Sequence, residues 1–220
     1  MSSTPRQAVT ERRGFEELVH EPCRVRSFRK DEVSKDDVER MVEVARCAVT
    51  PCDAQAWRFI AIQDHDLLDK MREVVLDRFE ELALLPGLAL REQQRALARA
   101  QAMVFAKAPL CIGVVAMPTN SPAERLMELA GMSPEEHQRL CVRPELQSAG
   151  AAVQLLATSA HSLGYGACWS CAAIVAGERL EELLDVTPPA RLVALVPIGR
   201  AAKQTEAYAR RPLKDLLSFR

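Results

Sequence analysis

Apolar positions along the first third of the chain recur at helical spacing before giving way to a short continuous run. Val38, Met41, Val42 and Ala45 share one side of a helical wheel, while Lys35, Glu39, Arg40 and Glu43 lie elsewhere on it. Ser34 precedes them as an N-cap, with Asp36 and Asp37 in the first turn, where the helix dipole favours acids. This helix is expected to stop near Ala48, because Pro51 biases Thr50 away from helical angles. Residues 59–62 are short, apolar and flanked by polar residues, which predicts a strand; 67–79 and 90–105 read as helices. Residues 109–117 form an apolar run of strand length, continuous enough to be buried on both faces.

Between 123 and 144 the chain is charged and helical in parts, with a further helix start at Ser133-Pro134-Glu135-Glu136. The longest helical signal covers 146–163, where Ala149, Gly150, Val153, Leu156, Ala157 and Ala160 form a stripe of small and apolar residues. Gly164 suits the stop of that helix, and Gly166 keeps the next turn permissive. A short helix follows over 178–184, then a last strand over 191–199, whose Pro197 predicts an edge position or a bulge. Helices outnumber strands without a repeating βαβ order, so the expected class is α+β. Residues 1–22 read as an N-terminal arm and 23–220 as a single domain.

Composition narrows the function classes. A hydrophobic fraction of 48% and a charged fraction of 27% are those of an ordinary globular protein. The formal net charge of -1, with dispersed basic residues, indicates no nucleic-acid footprint. No apolar run approaches the roughly 20 residues that span a bilayer, and the polar start lacks the apolar centre of a secretory signal. Seven scattered cysteines are better read as reduced thiols of a cytoplasmic protein than as a disulfide scaffold. Cys47 is expected on an apolar helix face and Cys111 inside a strand, both as small hydrophobes.

Three segments could carry chemistry. Arg26-Ser27-Phe28-Arg29 offers two guanidiniums and a hydroxyl suited to a phosphate, although short basic clusters are more often solvated surface. Residues 48–59 form a turn-rich bridge that could present backbone N–H groups and small hydroxyls to a ligand, or serve as a connector whose Trp57 plugs the core. In residues 163–172, Gly-Tyr-Gly lacks the third glycine and the preceding strand of a dinucleotide fingerprint. Cys168 and Cys171 form a C-x-x-C, but zinc would need two further ligands and a thioredoxin-type dithiol should open a helix. Two buried thiols are the plainer reading. The histidines lack metal-ligand spacing, and His161 suits a structural role on the long helix. No metal site and no hydrolase nucleophile is expected.

Taken in order, these segments resemble the nitroreductase family from about Arg24 to Leu217. Arg26-Ser27-Phe28-Arg29 resembles that family's R-S-x-R, and residues 48–57 its A-P-S-S-x-N-x-Q-P-W loop. Gln101 to Pro109 resembles its Q-x-x-x-x-x-x-A-P segment, the turn through Trp169 and Cys171 its flavin-facing loop, and Arg210-Arg-Pro-Leu213 its closing R-x-P-L. The chain departs from the pattern at Asp53, where the family has Asn, and at Ala56, where it has Pro. Cys171-Ala172 stands where some relatives carry Glu-Gly.

The resemblance implies a nitroreductase-like α+β fold: a central, mostly antiparallel sheet flanked by helices, with long helices at a homodimer interface. It implies FMN, held at the phosphate by Arg26, Ser27, Arg29 and Arg210, bordered by Thr50, Pro51 and Asp53, and reached by Gln101. Trp169, Cys171 and Ala172 would face the ring. NADH or NADPH would reduce the flavin, and a nitroaromatic, quinone or similar flat small molecule would reoxidise it by a ping-pong route, with no side chain required as acid or base. Other outcomes within the same resemblance are flavin destruction to a benzimidazole, reductive dehalogenation, or flavin binding with little turnover. The segment from about Ala123 to Arg143 is where substrate-covering residues are expected.

Overall fold

The apolar run after Pro109 becomes the centre of the molecule: all seven residues of its strand are buried. The computed structural model describes residues 14–21, 24–87, 91–119, 122–133, 135–136, 140, 143–203 and 209–220. Four strands, β1 (Trp57–Ile62), β2 (Leu110–Ala116), β3 (Gly166–Ala167) and β4 (Arg191–Gly199), form one sheet in the order β1-β2-β4-β3. Every neighbouring pair is antiparallel.

Successive side chains of a strand point to opposite faces, and β2 therefore feeds two cores. On one face Leu110, Ile112 and Val114 join Val196 and Ile198 of β4. They pack against Met41 and Ala45 of α2 (Lys35–Ala45) and Val153, Leu156 and Ala160 of a 19-residue helix, Pro144–Ser162. On the other face Cys111 and Val115 meet Leu68, Met71 and Val75 of α3 (His65–Ala83), together with Phe105 and Leu180. Other helices bounded within the described residues are α1 (Phe15–His20), α4 (Glu92–Ala102), α5 (Pro122–Leu129) and α7 (Gly177–Leu183), and the long one is numbered α6. The fold is α+β, with helices on both faces of an antiparallel sheet, as expected.

Local chemistry sets several boundaries. Ser34 Oγ accepts from Asp37 N–H at 3.1 Å and starts α2. Ser34→Ala is expected to lower stability by about 1 kcal/mol, read as a lower denaturation midpoint with an unchanged m-value. At the end of α6, Gly164 (φ 82) lets Tyr165 N–H reach the Ala160 carbonyl and Gly164 N–H the His161 carbonyl, both at 2.9 Å. That is a Schellman stop. Ser133 and Glu136 cap one another reciprocally at 3.2 and 3.0 Å where a helix start was expected; Pro134 lies outside the described residues.

Three expectations need correction. Pro197 is not on an edge strand, since β4 lies between β2 and β3. Its carbonyl accepts from Cys168 N–H at 3.1 Å, so its missing donor faces the side where two-residue β3 has already ended. The irregularity in β4 falls instead opposite Val114 and Val115. Cys47 is exposed, because α2 ends at Ala45 and turns the thiol outward. Of the C-x-x-C thiols, Cys168 is buried but Cys171 is exposed. Within the stretch read as an N-terminal arm, Phe15–His20 is helical; residues 1–13 and 22–23 lie outside the described residues.

Candidate functional site

The segment after α1 lies beside the short strand β3 at Arg24 and Val25, bends at Arg26 and Ser27, and continues beside the residues that follow β4. Val25 N–H donates to the Ala167 carbonyl at 3.0 Å, Arg29 N–H to the Arg200 carbonyl at 2.8 Å, and Ala202 N–H to the Ser27 carbonyl at 2.9 Å. Bridges pair Arg24 with Ala167 and Phe28 with Ala201. Val25 is buried, and its two neighbours Arg24 and Arg26 both face the cavity described below.

Past β3 the chain stays beside β4 through a bridge between Ser170 and Leu195, then tightens into a 3-10 turn, Ala172–Ala176. The first hydrogen bond of that turn runs from Ile174 N–H to the Cys171 carbonyl at 3.1 Å. The N–H groups of Cys171 and Ala172 precede it, so the turn gives them no acceptor. Gln101 arrives at the end of α4, its carbonyl 3.5 Å from Ser170 Oγ.

These elements enclose a cavity of about 530 Å³ lined by Arg24, Arg26, Gln101, Trp169, Cys171 and Ala172, with Val104, Cys168 and Ser170. Arg26 makes no ion pair among the described residues. Although Cys171 is exposed as a residue, partial burial of its thiol pushes the pKa up from its ordinary value, offset in part by the neighbouring Trp169 side chain. Cys171 is therefore a neutral thiol, not a ready nucleophile. The Ala172–Ala176 turn also borders a larger cavity of about 820 Å³, where Ile174 meets Met117, Met127, Met132, Leu146 and Arg191.

Of the residues singled out from sequence, Arg26, Gln101, Trp169, Cys171 and Ala172 thus share one cavity. Ser27 and Arg29 lie on the same segment outside its lining, and Arg29 pairs with Asp31 at 2.8 Å. Thr50, Pro51 and Asp53 occupy the loop between α2 and β1. There Thr50 Oγ1 accepts from Gln55 N–H at 3.3 Å, and Cys52, Asp53 and Gln55 all have positive φ (56°, 51° and 41°). Three non-glycine residues in that region are costly, a strain that collects at ligand-binding loops.

This loop is seated through Ala48 and Trp57 against Ala152, whereas Trp169 lies against Gly150. Two residues along a helix are about 200° apart around its axis, so loop and cavity occupy different flanks of α6. Arg210 is exposed on the C-terminal segment, beyond residues 204–208, which lie outside the described residues. Arg24, Val104, Cys168 and Ser170 were missed from sequence; for Arg24 the alternation with Arg26 was the available signal. His161 has the structural role expected, with Nε2 3.1 Å from Glu21 Oε2.

An antiparallel sheet with helices on both faces thus brings two arginines and the Ala172–Ala176 turn to one cavity of an α+β fold. The chain belongs to the nitroreductase family, whose model matches residues 24–200. It is 26% identical over 189 residues to the 5,6-dimethylbenzimidazole synthase of Rhodospirillum rubrum, covering 86% of this chain and 82% of that protein. In structure it is similar to a BluB-like flavoprotein from Clostridium difficile 630, with TM-score 0.86 and 24% identity over 94% of this chain and 99% of that one. A nitroreductase with bound FMN from Desulfitobacterium hafniense DCB-2 superposes with TM-score 0.67 at 18% identity, covering 93% and 96% of the two chains.

Proposed function

We propose that this chain is an FMN-dependent oxidoreductase that takes reducing equivalents from NADH or NADPH and passes them to a flat acceptor, such as a nitroaromatic or quinone, in ping-pong order. The observation that carries the reading is the convergence of Arg24, Arg26, Gln101, Trp169, Cys171 and Ala172 on one cavity. The residues fit the group. Guanidiniums suit its phosphate, and unsatisfied N–H groups at Cys171 and Ala172 suit the negative edge of a reduced ring. The volume lies within the range of small-ligand sites, about 300–1,000 Å³. FMN, when bound, supplies the two-electron chemistry that no side chain here offers. The protein's part is to neutralise, orient and border it, and no residue is needed as acid or base. Across the turn, the methionine-lined cavity offers adaptable apolar walls to an acceptor.

A cytoplasmic homodimer completes this reading. The Thr50–Asp53 loop and Arg210 stand apart from their own chain's cavity, and a second copy would bring such a loop to it. The C-terminal Leu213, Leu216, Leu217 and Phe219 are 71%, 61%, 47% and 88% exposed, apolar surface that a partner would cover.

A second reading has its own support: the TM-score of 0.86 to the BluB-like flavoprotein against 0.67 to the FMN-bound nitroreductase, and the match to a 5,6-dimethylbenzimidazole synthase. On that reading the flavin is the substrate and is consumed. One experiment tests both. The purified protein is expected to show a flavin spectrum and to release FMN, near one per chain, on heat denaturation. Under NADH or NADPH and air, a chromophore that survives many turnovers supports the first reading. Stoichiometric loss of FMN with appearance of a benzimidazole supports the second. A colourless protein that does not take up added FMN sinks both.

A further inference from the structure

Gly150 sits inside α6, a position where glycine is unfavourable for the helix and usually has a packing or functional reason. A Cβ there would lie 3.2 Å from Cη2 and 4.0 Å from Cζ2 of Trp169. The far edge of the indole therefore rests against helix backbone that has no side chain at this point. Trp169 is 50% exposed, unlike Trp57 at 8%, and it lines the candidate flavin cavity. Cys171, two residues further on, precedes the donor-bearing turn and lines the same cavity. The ring thus rests on α6 at its benzo edge, and its open side belongs to the cavity.

We infer that Gly150 is a positioning residue: by lacking a side chain it lets Trp169 lie down on α6, and so sets the width of the slot open to a flat ring. This rests on the flavin reading proposed above. A methyl group at position 150 would meet the indole at a separation tighter than ordinary van der Waals contact. The helix backbone cannot yield without breaking its own hydrogen bonds, whereas a half-exposed indole can tilt. The tilt narrows the cavity. Because alanine favours the helix over glycine, the substitution separates an effect on the site from a loss of folding.

The test is Gly150→Ala made in a Trp57→Phe protein, where Trp169 is the sole tryptophan emitter, since the chain has two tryptophans. Without flavin, the emission maximum and acrylamide quenching of Trp169 are expected to shift. FMN should bind about five- to tenfold more weakly, the scale of one misplaced aromatic contact, with thermal stability unchanged or raised. Trp169→Phe removes the two atoms nearest position 150, so in that background Gly150→Ala should leave FMN affinity unaltered. An equal loss in both backgrounds, or an unshifted affinity and emission, overturns the inference. If the parent protein binds no FMN, the flavin reading is what fails. Emission then still decides whether Gly150 seats Trp169, and an emission unmoved by Gly150→Ala overturns the inference with or without flavin.

Discussion

Gly166→Ala is expected to cost about 3 kcal/mol of folding stability, at the upper end of ordinary overpacking, and to abolish tight FMN binding with it. A Cβ at this position would overlap Val25 Cγ2 and lie 2.5 Å from Val25 Cβ. A new rotamer of Val25 relieves the first contact but not the second, so backbone has to separate. The backbone that separates is the Arg24–Ala167 bridge, fastened by Val25 N–H to the Ala167 carbonyl at 3.0 Å. Moving it carries Arg24 and Arg26 away from the cavity they line. Gly113→Ala makes the contrast, because its Cβ would meet nothing nearer than Leu192 Cδ1 at 3.5 Å, an ordinary contact. It should leave the site intact. Val25→Ala in the Gly166→Ala protein should restore part of the stability and not all, since the Cβ–Cβ contact survives. Denaturant midpoints and FMN titrations of the four proteins check this, and a Gly166→Ala protein as stable as its parent would refute the close approach.

Sequence legibility follows the range of the interaction. Ser34, the α2 stripe and the Gly164 stop were readable because each is settled within a turn or two of helix by hydrogen bonds to near neighbours. The burial of β2 was readable from apolar continuity alone. Pro197 misled because a rule about edges depends on strand order, and β4 became internal through a partner only two residues long. Arg24 escaped notice for the same reason. Nothing local announces that Arg24 will bridge to Ala167 of β3, and that pairing helps bring Arg24 and Arg26 to one cavity. The Thr50–Asp53 loop shows the opposite limit. Its resemblance to a family motif drew it to the flavin, yet Trp57 and Ala152 seat it on another flank of α6 from the cavity, a placement set by long-range packing that no local pattern reveals. Cys47 and Cys171 were misjudged as buried because a thiol carries no charge to reveal which way it faces.

Arg26→Ala is expected to weaken FMN binding about 100-fold, the effect of losing a bidentate, charge-assisted pair worth roughly 1.5–3 kcal/mol. Arg26 is the informative member of the R-S-x-R pattern because it lines the cavity and makes no ion pair among the described residues. Arg29, chemically equivalent in the sequence, pairs with Asp31 at 2.8 Å with its side chain 60% exposed, and Arg29→Ala should shift the affinity no more than about threefold, as expected of an exposed charge. Arg26→Lys should recover only part of the loss, since an ammonium keeps the charge but not the fork. The affinity of the parent should also fall as salt is raised, because the guanidinium is solvent-exposed and screened, and Arg26→Ala should flatten that dependence. Fluorescence titration of FMN at two ionic strengths reads all of these. Equal losses at Arg26 and Arg29 would mean that the phosphate lies along the outer side of the segment, and the cavity assignment would then have to be given up. A loss confined to Arg26, with the flattened salt response, ties the phosphate to the face that Val25 and Gly166 hold in place, and makes the packing of a buried glycine a condition of cofactor binding.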